Sequence, residues 1–455
     1  MRKKAHMLSF VLWGVLFGIA FAGCAGAELL NGIPRDFALV RETGALEESC
    51  EKQPVKEQEA VPEPTPENKI SFLMEEAGSY AADSLSETER LWYEDMEQVL
   101  GSFGTDTELN VKGLEAGLEE ADIDRIFQCV MCDHPELFYV EGYSYTKYML
   151  GEQITSITFS GTYNIDLETA LKREQEILAA AGEILAGVDT EASDYDKVKY
   201  VYDTIICSTD YNVDALDNQN IYSVFVHRLS VCQGYAKATQ YLLNRLGIEC
   251  ALVQGTVRTG EGHAWNLAKV DGAYYYIDTT WGDVSYQVED TFPEEGDLTV
   301  GAGEEIGFSE EGNVTGTQEG ASEAEQRQNV ILRGMPEINY DYLNVTTQEI
   351  LRTHAIGGVV PMPECTAVEA NYYRREGAFF TGYDKEQMKA LFDRVFDGGG
   401  RDVTVKCSDA ACYEEIYGAL IEGQEIFGYL GEGEKSVAYT QNQNQFSLTF
   451  WVTNE

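Results

Sequence analysis

Val231-Cys232-Gln233-Gly234-Tyr235-Ala236, then Gly262-His263-Ala264-Trp265-Asn266, then Ile277-Asp278-Thr279-Thr280-Trp281, bring a cysteine, a histidine and an aspartate into one run of the chain. From Cys232 to Leu246 the residues Tyr235, Thr239, Leu242 and Leu246 recur at helical spacing. Gly247 suits the residue just past a helix end, with Ile248 placed for the contact that accompanies such a stop. Glu249 to Val257, His263 to Val270 and Ala273 to Thr279 read as strands rich in aromatic and β-branched residues. The pattern predicts an α+β core in which a helix opening on a cysteine packs against an antiparallel sheet.

Asp271-Gly272, between the last two strands, is the strongest short hairpin signal in the chain. A two-residue loop there pairs Val270 with Ala273 and sets Trp265 opposite Asp278. His263, two residues from Trp265, then shares a sheet face with Asp278 as its diagonal neighbour, at roughly 7–8 Å between Cα atoms. A slip of one residue would separate them.

The residue types carry chemistry. A thiol at a helix N-terminus meets exposed amides and the positive end of the macrodipole, which favour the thiolate. The same amides can receive a developing oxyanion. Asp278 can hold one ring nitrogen of His263 and leave the other for Cys232. Either a buried cysteine or a stray histidine is unremarkable alone. The chain has five histidines, so one falling diagonal to an aspartate after a helix-opening cysteine favours a catalytic triad over coincidence. Trp265 and Trp281 are candidate substrate-site aromatics that would shield an acyl intermediate from water, although aromatics beside a sheet are more often core.

Cys-Gln-Gly-Tyr-Ala, His-Ala-Trp-Asn and Tyr-Tyr-Ile-Asp-Thr-Thr-Trp, in this order, resemble the core of the transglutaminase-like superfamily, relatives of papain-type thiol enzymes. The resemblance covers roughly residues 193–283, and Asp133-His134-Pro135-Glu136-Leu137-Phe138-Tyr139-Val140 is similar to an N-terminal segment of bacterial members. It implies a papain/transglutaminase-like core with Cys232 as nucleophile, His263 as acid and base, and Asp278 as the orienting carboxylate. It further implies an acyl-transfer enzyme acting on peptide or side-chain amides through a thioester, with hydrolysis and crosslinking both open. The alternative from another class is a surface binding module for a wall or host polymer that keeps this domain as a scaffold.

Around this core, 455 residues leave room for further units. Arg2, Lys3 and Lys4 precede an apolar stretch from Met7 to Ala22, shorter than the ~20 residues that span a bilayer, so residues 1–24 read as an export signal. Phe21-Ala22-Gly23-Cys24 resembles a bacterial lipobox, which implies lipidation at Cys24 and a membrane-anchored surface protein, with free secretion as the alternative. Residues 25–68, acidic and ending in Pro54, Pro62, Pro64 and Pro66, read as an extended tether. Residues 69–190 form an N-terminal α+β unit and bridging helix, with His134 a helix-ending structural residue. Residues 191–350 form the catalytic domain, interrupted by a mobile acidic insertion at 288–328, and residues 351–455 a small C-terminal α+β unit.

Composition narrows the partners. A net charge of −46 excludes the basic footprint that nucleic acid requires. The expected partner is a peptide or protein substrate, with the cell wall as one source and the membrane reached through the Cys24 lipid. The cysteines form no dense disulfide framework, and Cys129 and Cys132 lack the second ligand pair of a metal site, so they read as buried thiols. No metal or cofactor is assigned.

Overall fold

The computed structural model describes residues 7–10, 80–151, 153–189, 191–284, 335–430 and 437–452. The expected tether and acidic insertion lie outside the described residues, as does the expected export signal apart from residues 7–10. Contacts divide the chain into two compact units, and the division falls at Leu178, inside the helix Leu167–Leu185.

In the first unit, helices Glu87–Gly101 and Glu120–Asp133 accompany a four-stranded antiparallel sheet. Ser86 and Glu89 close a reciprocal capping box that starts the first helix. His134 ends the second, where Pro135 disfavours a further helical residue. Leu137 to Val140 is largely a turn held by Leu137 N–H to His134 C=O and Val140 N–H to Leu137 C=O. Strands Val140–Leu150 and Gln153–Tyr163 then form a long hairpin, with Thr107–Glu108 at one edge and Met7–Phe10 at the other. That last strand lies within the expected export signal, so cleavage before Cys24 would leave Val140–Leu150 as the edge.

The second unit contains the core that the hairpin signal foretold. Its sheet runs antiparallel in the spatial order His354–Gly357, Cys250–Val257, Gly262–Val270, Ala273–Ile277. Asp271 and Gly272 both have positive φ, 51° and 84°, as a two-residue hairpin turn requires. Val270 pairs with Ala273 and Asn266 with Ile277, the register expected from the sequence. The strand stops at Ile277, however, and Asp278 caps a short helix, Thr279–Gly282.

Helix Cys232–Arg245 lies between this sheet and helix Asp194–Ser208, and it is buried on nearly every side. That includes Lys237, Gln240 and Asn244, well beyond the single apolar stripe visible in the sequence. Each large apolar side chain buried here contributes about 1.5–3 kcal/mol, so the helix is fixed firmly. It ends as expected: Gly247 has φ 75°, and Ile248 N–H bonds back to Leu243 C=O.

The C-terminal part carries its own sheet, ordered Phe379–Phe380, Asp402–Cys407, Ser447–Val452, Val437–Asn442. Helices Lys385–Asp397 and Ala410–Tyr417 cover it, burying Met388, Phe392, Val405, Ile416 and Phe450. Tyr372 to Phe380 opens as helix Tyr372–Arg375, and only its last two residues pair. This sheet belongs to the same compact unit as the cysteine-bearing core. Asp341 joins the two: it pairs with buried Lys406 at 3.1 Å and accepts from Ser447 Oγ at 2.6 Å and Asn442 Nδ2 at 3.0 Å.

Candidate active site

Cys232 is the first residue of its helix. Val231 precedes it in extended conformation and supplies no side-chain cap, so no Val231 side chain occupies the amides of the first turn. The segment Asn218 to Asn220 closes over this turn: Asn218 C=O accepts from Val231 N–H at 3.0 Å and from Ser230 Oγ at 2.7 Å. Gly234 makes that approach possible, because a Cβ there would lie 1.9 Å from Ser230 Oγ and 2.9 Å from Asn218 O.

Two polar cross-links set the helix against the hairpin. Buried Asn266 donates through Nδ2 to Ala236 C=O at 2.9 Å, and Thr239 Oγ1 lies 3.2 Å from Thr279 Oγ1. One ties the helix to the strand bearing His263, the other to the residue after Asp278. In a dry interior such bonds fix relative position, because breaking one strands a polar group.

The three sequence-predicted residues meet. His263 Nε2 is 2.7 Å from Asp278 Oδ2, and the Cys232 sulfur lies beside the His263 ring, where it favours the imidazolium. Asp278 Oδ1 accepts from Thr280 N–H and Trp281 N–H, each at 3.0 Å. The carboxylate is therefore clamped by its own helix turn while it faces the imidazole.

Burial disfavours an imidazolium at His263, but the Asp278 carboxylate and the Cys232 sulfur outweigh it and hold His263 above the ordinary histidine range. Burial likewise disfavours charge on Asp278, yet both neighbouring imidazoles keep its carboxyl well below the usual range. The second of these is His354, absent from the sequence-derived set. Its Nε2 lies 3.0 Å from the same Asp278 Oδ2, and burial holds it below the ordinary range, so it is neutral.

The tryptophans take different places. Trp265 is fully buried, stacked on His263 at 5.8 Å between ring centroids, so it backs the imidazole instead of facing substrate. Trp281 is half-buried and tilted against His263 at 6.1 Å and His354 at 4.8 Å. Among the described residues, His263, Asp278 and His354 are the group that could offer a metal three ligand atoms, all within 4.8 Å. Their separations of 2.7 and 3.0 Å around one shared oxygen are hydrogen-bond lengths, and two N–H protons account for them. Cys24 lies outside the described residues.

The profile of the transglutaminase-like superfamily matches residues 179–279, a span that contains Cys232, His263 and Asp278. Residues 179–279 form a transglutaminase-like domain. Its α+β architecture, a cysteine-bearing helix on an antiparallel sheet, fits that assignment. Solved structures similar to the chain include a TGase at 17% identity, with a TM-score of 0.23 over 31% of this chain and 44% of that one. A cysteine-protease candidate from Cytophaga hutchinsonii matches at 17% identity, TM-score 0.21, over 28% and 54%. The periplasmic domain of TgpA from Pseudomonas aeruginosa matches at 17% identity, TM-score 0.19, over 30% and 60%. The chain thus spans about half the length of these three structures. No curated protein matches it.

Proposed function

We propose that the transglutaminase-like domain is a thiol-dependent acyl-transfer enzyme acting on peptide or side-chain carboxamides. The observation that carries this reading is the Cys232 thiol against an imidazole whose other nitrogen is held by a buried, clamped carboxylate. In the first half-reaction the Cys232 sulfur attacks the amide carbon and the first-turn amides receive the oxyanion. The carbon–nitrogen bond breaks as the His263 imidazolium gives its proton to the leaving amine, and a thioester forms. In the second half-reaction His263 takes a proton from the acceptor, which attacks the thioester and releases Cys232. Water as acceptor gives hydrolysis, and an amine gives an isopeptide bond. Trp265 behind the imidazole keeps the pair dry, which strengthens both polar contacts.

The site belongs at the cell surface in this proposal, with the chain exported and anchored through acylated Cys24. Metabolic labelling with an alkyne fatty acid checks that part, since Cys24→Ala should abolish the label.

The activity is tested by mass spectrometry of a glutamine-containing peptide pool, with and without a primary amine, using Cys232→Ala as control. A gain equal to the amine less ammonia means transamidation. Deamidated or cleaved peptides mean hydrolysis. A pool that stays unchanged in both arms overturns the proposal.

A further inference from the structure

His354 lies 75 residues beyond the end of the span that matches the superfamily profile (354 − 279), yet it reaches the centre of the site. Asp278 Oδ2 faces His263 Nε2 at 2.7 Å and His354 Nε2 at 3.0 Å, while Oδ1 takes two backbone N–H bonds. An ionised carboxylate offers about four acceptor positions, and here all are used. His354 is neutral, so its Nε2–H donates to Asp278, and its Nδ1 must accept. The Thr353 hydroxyl stands 2.8 Å from that nitrogen and within 3.4 Å of Ile350 C=O. The charged or titratable groups around the ring are Asp278, His263 and Tyr342. A neutral second donor is what this arrangement can hold, because a second cation would repel His263.

The position of His354 is secured from two sides. It opens strand His354–Gly357, which pairs with Cys250–Val257 in the register Ile356 to Gly255. A Cβ at Gly255 would lie 2.1 Å from Ala355 O and 2.6 Å from the Trp265 ring, so only glycine lets that strand close. From the other side, Gln445, buried in the turn of the C-terminal hairpin, donates through Nε2 to Glu349 C=O at 3.1 Å. Arg352 lies over the Phe446 ring at 4.5 Å. The C-terminal sheet therefore grips the residues just ahead of His354.

We infer that His354 is a positioning residue for the proposed acyl transfer: it fixes the Asp278 carboxylate so that His263 keeps its free nitrogen on Cys232, and the C-terminal sheet holds it there. This rests on the triad reading above. A carboxylate anchored at one oxygen only can swing, and the imidazole would follow it. The second imidazole removes that freedom.

The test uses the full chain and needs no substrate. Alkylation of Cys232 by iodoacetamide is followed at the peptide level from pH 5 to 9, which separates it from exposed Cys207. His354→Phe keeps an aromatic ring but removes the donor, His354→Gln restores an amide donor at the matching reach, and Asp278→Ala is the comparator. His354→Phe should slow Cys232 about tenfold near pH 6 and displace the pH profile, an effect of the size of one bond to a charged group. His354→Gln should recover to within about threefold of the parent. If Asp278→Ala leaves the rate and profile unchanged, the triad reading fails. If Asp278→Ala slows the thiol and His354→Phe does not, the His354 assignment alone fails. Equal losses in the Phe and Gln variants would reduce His354 to packing and overturn it as well. Should His354→Phe lose its near-ultraviolet circular dichroism, Gln445→Ala takes its place. A displaced profile then supports the inference, and an unchanged one overturns it.

Discussion

Among the described residues, two buried histidine–carboxylate clusters look alike on paper and differ in the thiol beside them. In the first unit Asp133 accepts from Ala81 N–H at 2.8 Å, Ala82 N–H at 2.9 Å and Tyr93 OH at 2.9 Å. Its neighbour His134 has Nε2 3.0 Å from the same Tyr93 hydroxyl and Nδ1 2.8 Å from Glu136. In the second unit Asp278 faces two imidazoles. Burial works against the imidazolium in both His134 and His263, and carboxylates overcome it in both, so a raised histidine does not separate them. What separates them is the thiol. Cys129 belongs to a helix interior, where burial and then the Asp133 carboxylate push it up to about 11, an unreactive setting. Cys232 opens a helix and faces an imidazole. In the first cluster both ring nitrogens of His134 are spent on structure. In the second, one nitrogen of His263 is left facing the Cys232 thiol.

The two clusters differ most at Cys232. Cys232→Ala should reduce ammonia release or amine incorporation by about 10⁴-fold or more, since the remaining groups hold no nucleophile. Its thermal midpoint should stay close to that of the parent. Activity surviving in that variant would remove the distinction between the clusters. Asp278→Asn comes next, with a loss of about 10²–10⁴-fold in turnover, because an amide in that place offers the imidazole the wrong partner. His134→Gln, the matching change in the first unit, should leave turnover per folded molecule within about twofold by the same logic.

Much of the site could be read from sequence because it rests on local rules. The Asp271-Gly272 turn and a period of two place His263 and Asp278 together, and the pairing of Val270 with Ala273 follows from it. Thr279-Thr280-Trp281 after Asp278 holds a cap signal that the strand pattern obscured: an aspartate placed to accept from the amides two and three residues on. His354 was beyond such rules. It reaches Asp278 through a strand beside Gly255, and no turn of fixed length links that strand to its neighbour in the sheet. The glycine in the middle of Cys250–Val257 was the available hint, since an interior glycine marks a close backbone approach. For Trp265 the sequence left core and substrate-site readings side by side, because parity tells which face a residue shares with His263 but not how deep that face lies. In the C-terminal part, Tyr372 to Phe380 has strand composition, yet Asn371 and the turn at Gly377 confine it to a short helix before pairing begins.

Smaller effects sharpen the contrast between structure and chemistry. Asp133→Ala should strip three donors of their acceptor at a cost of about 2–4 kcal/mol to the first unit. Amide exchange at Ala81 and Ala82 should accelerate at least tenfold by that measure. Cys232 alkylation in the same variant should match the parent. A fall in Cys232 reactivity would mean that the first cluster has a role in the site after all.

The smallest effect is a difference in sign between the two histidines of Asp278. His263 is raised, so its stabilising contribution is complete below the unfolded value of about 6.5 and declines as pH rises toward its folded value. His354 is lowered, so the folded state refuses a proton that the unfolded chain accepts, and its contribution is lost as pH falls below about 6.5. Asp278, itself lowered, adds stability that persists until pH falls through its own folded value. Between about pH 7 and 5 the loss assigned to His354 has a limiting slope of about 1.4 kcal/mol per pH unit, that of one proton. Urea unfolding of the parent and of His354→Phe across this window isolates it: the variant should be less stable at neutral pH yet lose less on acidification. Parallel curves would mean that His354 shares a proton with Asp278 in the folded state and is not neutral, which would give the two imidazoles the same charge and undo the asymmetry on which the site depends.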